Sequence, residues 1–226
     1  MRGEYGPTPE EMGIAQIRDH QQGAGAERLE EKRNQFEAAF LPKFREAVAG
    51  DITRHMDPKD PRTDRMVQEI QSADTIVPVI TYGDDPAEKG RIRSINYGLK
   101  SNSGEVFKPN SAVTTNTVLE VQKTTGEEGA LMFQIRMLEQ EKAVVDAERE
   151  RFAQQALQNQ LKLDQTNERN RTGTVVRSSD EANKYARLRN EARKQEDFWR
   201  SRNGELALQI DRLRRELAKS NRAKAA

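Results

Sequence analysis

The chain has 226 residues, of which 34% are apolar, 5% aromatic and 33% charged, with a mean hydropathy of -0.96 and a formal net charge of +1. That composition is poor material for one large globular core, while the near-neutral balance argues against complete disorder, which goes with high net charge as well as low hydrophobicity. The absence of cysteine excludes disulfides, thiolate zinc sites and cysteine nucleophiles, and it fits a reducing compartment.

Met1-Arg2-Gly3-Glu4-Tyr5-Gly6-Pro7 lacks the apolar run of a signal peptide, and no run of about 18 apolar residues occurs in the sequence. The expectation is a chain without a membrane span, cytoplasmic during synthesis and not secreted by a signal peptide. Thr8-Pro9-Glu10-Glu11 then reads as a helix start, with a capping hydroxyl, a proline that has no donor to leave unpaired, and acids at the positive end of the dipole. This helix is expected to end near Gln22, with Gly23-Ala24-Gly25 as a hinge. Those glycines lack the full phosphate-loop pattern and a preceding strand.

A second helix is expected from Ala26 to Ala49. Leu29, Phe36, Phe40, Phe44 and Val48 fall on one face at steps of four or seven, as core packing requires; Pro42 should bend the helix and Gly50 close it. Asp60-Pro61 suits the cap of a short helix through Met66, Val67 and Ile70 to Ser72. Asp57, Asp60 and Asp64 miss the spacing and the glycine of a calcium loop, so capping explains them better than a metal.

Thr75 to Tyr82 is β-branched and interrupted only by Pro78, which suits a strand at a sheet edge. Gly83 to Gly90 reads as a turn, Arg91 to Tyr97 as a second strand, Ser101 to Gly104 as another turn, and Glu105 to Lys108 as a weaker strand. Alternation of Val113, Thr115, Thr117, Leu119 and Val121 with their neighbours predicts a further strand.

From Glu127 the period becomes helical. Leu131, Ile135, Leu138, Val145, Phe152 and Leu163 mark one stripe, and Tyr185, Trp199, Leu206, Ile210, Leu213 and Leu217 mark a second. The polar run from Asn167 to Gly173 separates them, and Ser178 with Glu181 fits a capping box that restarts the helix. Two arms with a short connection should fold back antiparallel, roughly 60 Å long, and a turn near Gly173 makes facing residue numbers add to about 345. That register sets Arg149 opposite Glu196 and Lys142 opposite Asn203.

The expected fold class is therefore mainly α with a small β element: a helical region over 1–73, a small antiparallel sheet over 74–124, and a helical hairpin with a basic tail over 125–226. His20 and His55, the only histidines, sit in no nucleophile, zinc or phosphate-loop motif, so no catalytic residue, cofactor or metal ligand is assigned. Arg212, Arg214, Arg215, Lys219, Arg222 and Lys224 form a basic segment able to meet an acidic partner or phosphates. Met132, Met137, Val144, Leu157, Leu161, Leu188 and Leu208 lie off the main seam, and partner subunits are expected to cover them. The composition suggests a non-enzymatic structural subunit of a large assembly, by analogy a bacteriophage virion component (neck, tail or internal) or a scaffold, acting as a homo-oligomer or with other subunits. The alternative is a nucleic-acid-associated adaptor using the basic end.

Overall fold

The computed structural model describes residues 9–54, 56–57, 59–83, 85, 89–171 and 178–225, with side chains described from residue 25 onward except 170, 178–179 and 222–225. Among the described residues it contains five helices and one three-stranded antiparallel sheet: α1 Pro9–Thr53, α2 Pro61–Ser72, β1 Thr75–Tyr82, β2 Ile92–Lys100, β3 Val106–Phe107, α3 Ser111–Thr125, α4 Glu127–Arg171 and α5 Ser178–Ala225. The fold is mainly α, with a small sheet and a long C-terminal helical hairpin.

The two expected N-terminal helices are one. α1 runs through Gly23 to Gly25 and past Gly50 to Thr53, whose hydroxyl bonds the Ala49 carbonyl at 2.8 Å. A glycine costs a helix interior about 1 kcal/mol relative to alanine, which slows but does not stop propagation once neighbouring turns are formed. The aromatic face anchors the C-terminal half: Phe36, Phe40, Phe44 and Val48 are fully buried.

Asp60 caps α2 as its sequence suggests, accepting from the Arg62 amide at 2.9 Å. Asp57 is likewise occupied in its own turn, accepting from the Lys59 amide at 2.9 Å. β1 pairs with β2 from Thr75 opposite Lys100 to Tyr82 opposite Ile92, and β2 pairs with β3, so β1 with its Pro78 is an edge strand. The Ser101 to Gly104 turn closes with the Ser101 amide on the Glu105 carbonyl at 2.8 Å.

The strand expected over 113–121 is instead the helix α3. Asn110 caps it by accepting from the Ala112 amide at 3.0 Å, and Gly126, at a φ of 90° that disfavours a side chain, ends it by donating to Gln122. Thr114, Thr117, Val118 and Val121 are buried at a spacing of three and four residues, the face of a helix laid on α1. Tertiary packing and two caps outweigh the β-branched composition.

Two cores result. The first joins the α1 phenylalanines to Ile70 of α2, Tyr97 and Leu99 of β2, Phe107 of β3, Val118 and Val121 of α3, and Phe133 and Met137 of α4. The second is the hairpin seam between α4 and α5, with Ile80, Ile92 and Ile95 of the sheet packed against it. At the start of α4 the buried carboxylate of Glu128 is paired with Lys32, and two turns on Arg136 grips Glu37 through both carboxylate oxygens at 2.7 and 2.8 Å.

Candidate interaction surface

The seam is built from the two apolar stripes. Leu131, Ile135, Leu138, Val145, Leu206, Ile210, Leu213 and Leu217 form one buried cluster; Leu163 is buried nearer the turn, and Phe152, Tyr185 and Trp199 are half-buried. Polar links between described residues cross the hairpin: Asp146 accepts from Asn203, Arg189 donates to Gln160 at 2.8 Å, and Arg214 donates to Glu139 at 2.8 Å. The first two pairs have residue numbers adding to about 349, one helical turn from the value expected with the turn at Gly173. The helices stop at Arg171 and restart at Ser178, which centres the connection later in the chain; Gly173 itself lies outside the described residues.

Arg149 accordingly reaches Asp146 at 3.7 Å on its own helix, and Glu196 is held by Arg200 at 2.6 Å on its own helix. Asp146 gathers Lys142, at 2.8 Å, and Asn203 as well, so the two polar positions expected to face each other share a carboxylate.

Of the residues off the seam, Met137 is buried under α1 and Met132 is half-buried. Val144, Leu157, Leu161, Leu188 and Leu208 stand in solvent at 58, 62, 54, 39 and 65% exposure. The aromatic core ends at Met137, and the exposed leucines of α4 lie beyond it toward the turn. The total accessible surface is 15779 Å², against about 10,400 Å² for a compact monomer of this mass. The exposed faces of the hairpin contribute to that excess.

Where the sheet meets the hairpin, the Arg202 guanidinium lies 3.9 Å from the ring centre of Tyr82, 3.8 Å from Phe198 and 4.8 Å from Trp199. Such a stack is worth on the order of 1 to 2 kcal/mol when shielded from water. Lys89 covers Phe198 at 5.1 Å, and Gly90, at a φ of 83°, leaves room for Ser201, which a side chain there would strike. The Phe198-Trp199 pair followed by an arginine three and four residues later is visible in the sequence; its partner Tyr82, more than a hundred residues away, is not.

Tyr82 donates to Glu141 at 3.4 Å. Burial pushes the Glu141 carboxyl above the usual carboxylate range, against the hydrogen bond from Tyr82 and the attraction of Arg202. A carboxyl whose pKa is higher in the folded than the unfolded state contributes stability at low pH that is lost as the pH rises through the folded value. Glu141→Gln should therefore raise the thermal midpoint near neutral pH, with the gain vanishing as the pH falls through the carboxylate range. Thermal melts of both proteins across that range check this, and a loss at neutral pH would contradict it.

Of the basic segment, Arg214 is engaged with Glu139 and Arg212 with Glu216, at 3.2 Å, while Arg215 and Lys219 are exposed. The side chains of Arg222 and Lys224, the side chain of His20, and His55 as a whole lie outside the described residues. Among the described residues there is no group of three or more histidine and acidic side chains able to hold a metal ion, and no helix long and apolar enough to cross a membrane. Comparison of the chain with protein-family models, curated proteins and solved structures finds no match.

Proposed function

We propose that this chain is a non-enzymatic structural subunit of a large assembly, in which helices of neighbouring subunits pack on the outer faces of the α4–α5 hairpin. The observation that supports this is the exposure of Val144, Leu157, Leu161, Leu188 and Leu208 on a rod that the first core does not cover. Leu157 and Leu161 stand one turn apart on α4, the spacing at which a second helix is gripped. A virion component, whether neck, tail or internal protein, or an assembly scaffold, is the setting proposed from composition.

Sedimentation at micromolar concentration tests the reading. The chain should run well above its 25.7 kDa monomer mass, and Leu157→Glu with Leu161→Glu should return it toward that mass with unchanged helicity. A folded monomer in the unsubstituted protein would overturn self-assembly as the mechanism. A nucleic-acid adaptor is the second reading, favoured by Arg215 and Lys219, exposed one turn apart with no ion pair to a described residue. It requires DNA or RNA affinity that falls steeply from low to physiological salt and disappears on deletion of residues 212–226.

A further inference from the structure

A cavity of about 310 Å³ lies where β2, α3, α4 and α5 meet, at the lower end of the size range of small-molecule sites. Its floor is apolar, formed by Val118, Leu138 and the ring of Tyr97 among others. Three side-chain amides border it, each from a different helix: Gln122 of α3, Gln134 of α4 and Gln209 of α5. All three are half-buried, and none makes a hydrogen bond to another described residue. Convergence from separate elements is what distinguishes them from glutamines scattered along one solvated helix face.

The wall also contains Thr114, buried, with a hydroxyl that has no hydrogen-bond partner among the described residues. Its neighbours on α3 behave differently: Thr115, Thr117, Thr124 and Thr125 each bond back to a carbonyl of their own helix. An unpaired buried hydroxyl carries a desolvation cost that ordinary packing removes. Among the described residues no acidic or basic side chain lines the cavity, and burial holds the Tyr97 phenol neutral by pushing its pKa far up. Anions and cations therefore find no counter-charge here and would lose their hydration on entry.

The geometry points to a binding site for a small uncharged molecule that combines a carboxamide with a compact apolar body, the amide meeting the glutamines and the body meeting Val118, Leu138 and Tyr97. An amide supplies both a donor and an acceptor, which is the pairing a glutamine side chain offers in return. Occupation would tie the sheet layer to both arms of the hairpin, and binding to the folded state alone would raise its stability.

Benzamide is a suitable probe, with benzoate as its charged counterpart and benzene as its apolar one. Methyl NMR spectra of the full chain should show benzamide shifting Val118 and Leu138 at millimolar concentration, with benzoate producing no such shift. Gln134→Leu and Gln209→Leu, which keep the helices and remove the amides, should each weaken benzamide several-fold to about tenfold while leaving benzene binding unchanged or improved. Absence of shifts with benzamide would mean that water alone fills the cavity and would overturn the proposal. Equal binding of benzamide and benzene, unaffected by either substitution, would also overturn it, since the amides would then be bystanders.

Discussion

Replacing Phe40 with alanine is expected to destabilise the protein by about 3 to 5 kcal/mol, read as a fall in the urea midpoint at unchanged slope. The ring is fully buried and contacts four others, with centroid distances of 5.6 Å to Phe36, 4.8 Å to Phe44, 5.4 Å to Phe133 and 6.0 Å to Tyr97. Truncation leaves a void among α1, β2 and α4 that these rings cannot jointly fill, because Phe36 and Phe44 are held by α1 itself, Tyr97 by β2 and Phe133 by α4. A typical domain has only about 5 to 15 kcal/mol of stability in total, so the loss is a large share. Leu157→Ala, on the exposed arm of α4, is the matching control and should change the midpoint by less than about 0.5 kcal/mol in the isolated subunit. A small effect at Phe40 would mean that α1 does not form the first core with the sheet and hairpin.

The features legible in the sequence are those in which the local rules agree. β1 occupies Thr75 to Tyr82 as expected because β-branched residues, an edge proline and flanking turns agree there. The hairpin was readable because two stripes of the same period flank a polar break, and Asp60-Pro61 because a cap is a contact between near neighbours. In α3 the rules conflict: its threonines and valines alternate like a strand and also recur every three and four residues, and the caps at Asn110 and Gly126 together with packing on α1 decide for the helix. The break expected at Gly23 to Gly25 is absent for a related reason, since a local cost of about 1 kcal/mol per glycine is absorbed by a helix of this length.

Long-range geometry was less accessible. The hairpin register depends on where the connection is centred, and a displacement of one turn moves Arg149 and Glu196 to partners on their own helices while preserving the apolar seam. An apolar stripe tolerates such a shift; an ion pair does not. The Arg202 stack, the Lys32 to Glu128 pair and the amides around the cavity join residues from separate elements, and no period or spacing announces them.

The same substitution, glycine to alanine, should have opposite signs at two helical positions. At Gly129 in α4 an added Cβ would lie 2.6 Å from the backbone carbonyl oxygen of Lys32 and 3.1 Å from the Phe36 Cβ, so α1 and α4 cross at that glycine. Neither obstacle is the end of a flexible side chain, and relief requires moving one helix away from the other. The roughly 1 kcal/mol that alanine adds to helix propensity is therefore outweighed, and Gly129→Ala should lower stability by about 1 to 3 kcal/mol net. At Gly204 in α5 nothing lies within 4 Å of the added carbon, and Gly204→Ala should raise stability by about 0.5 to 1 kcal/mol through propensity and the reduced freedom of the unfolded chain. Urea unfolding of both variants beside the unsubstituted protein checks the pair. Stabilisation at both sites would mean that α1 does not approach α4 at Gly129, and with that contact would go the geometry that buries Glu128 beside Lys32 and seats Phe36 against Phe133.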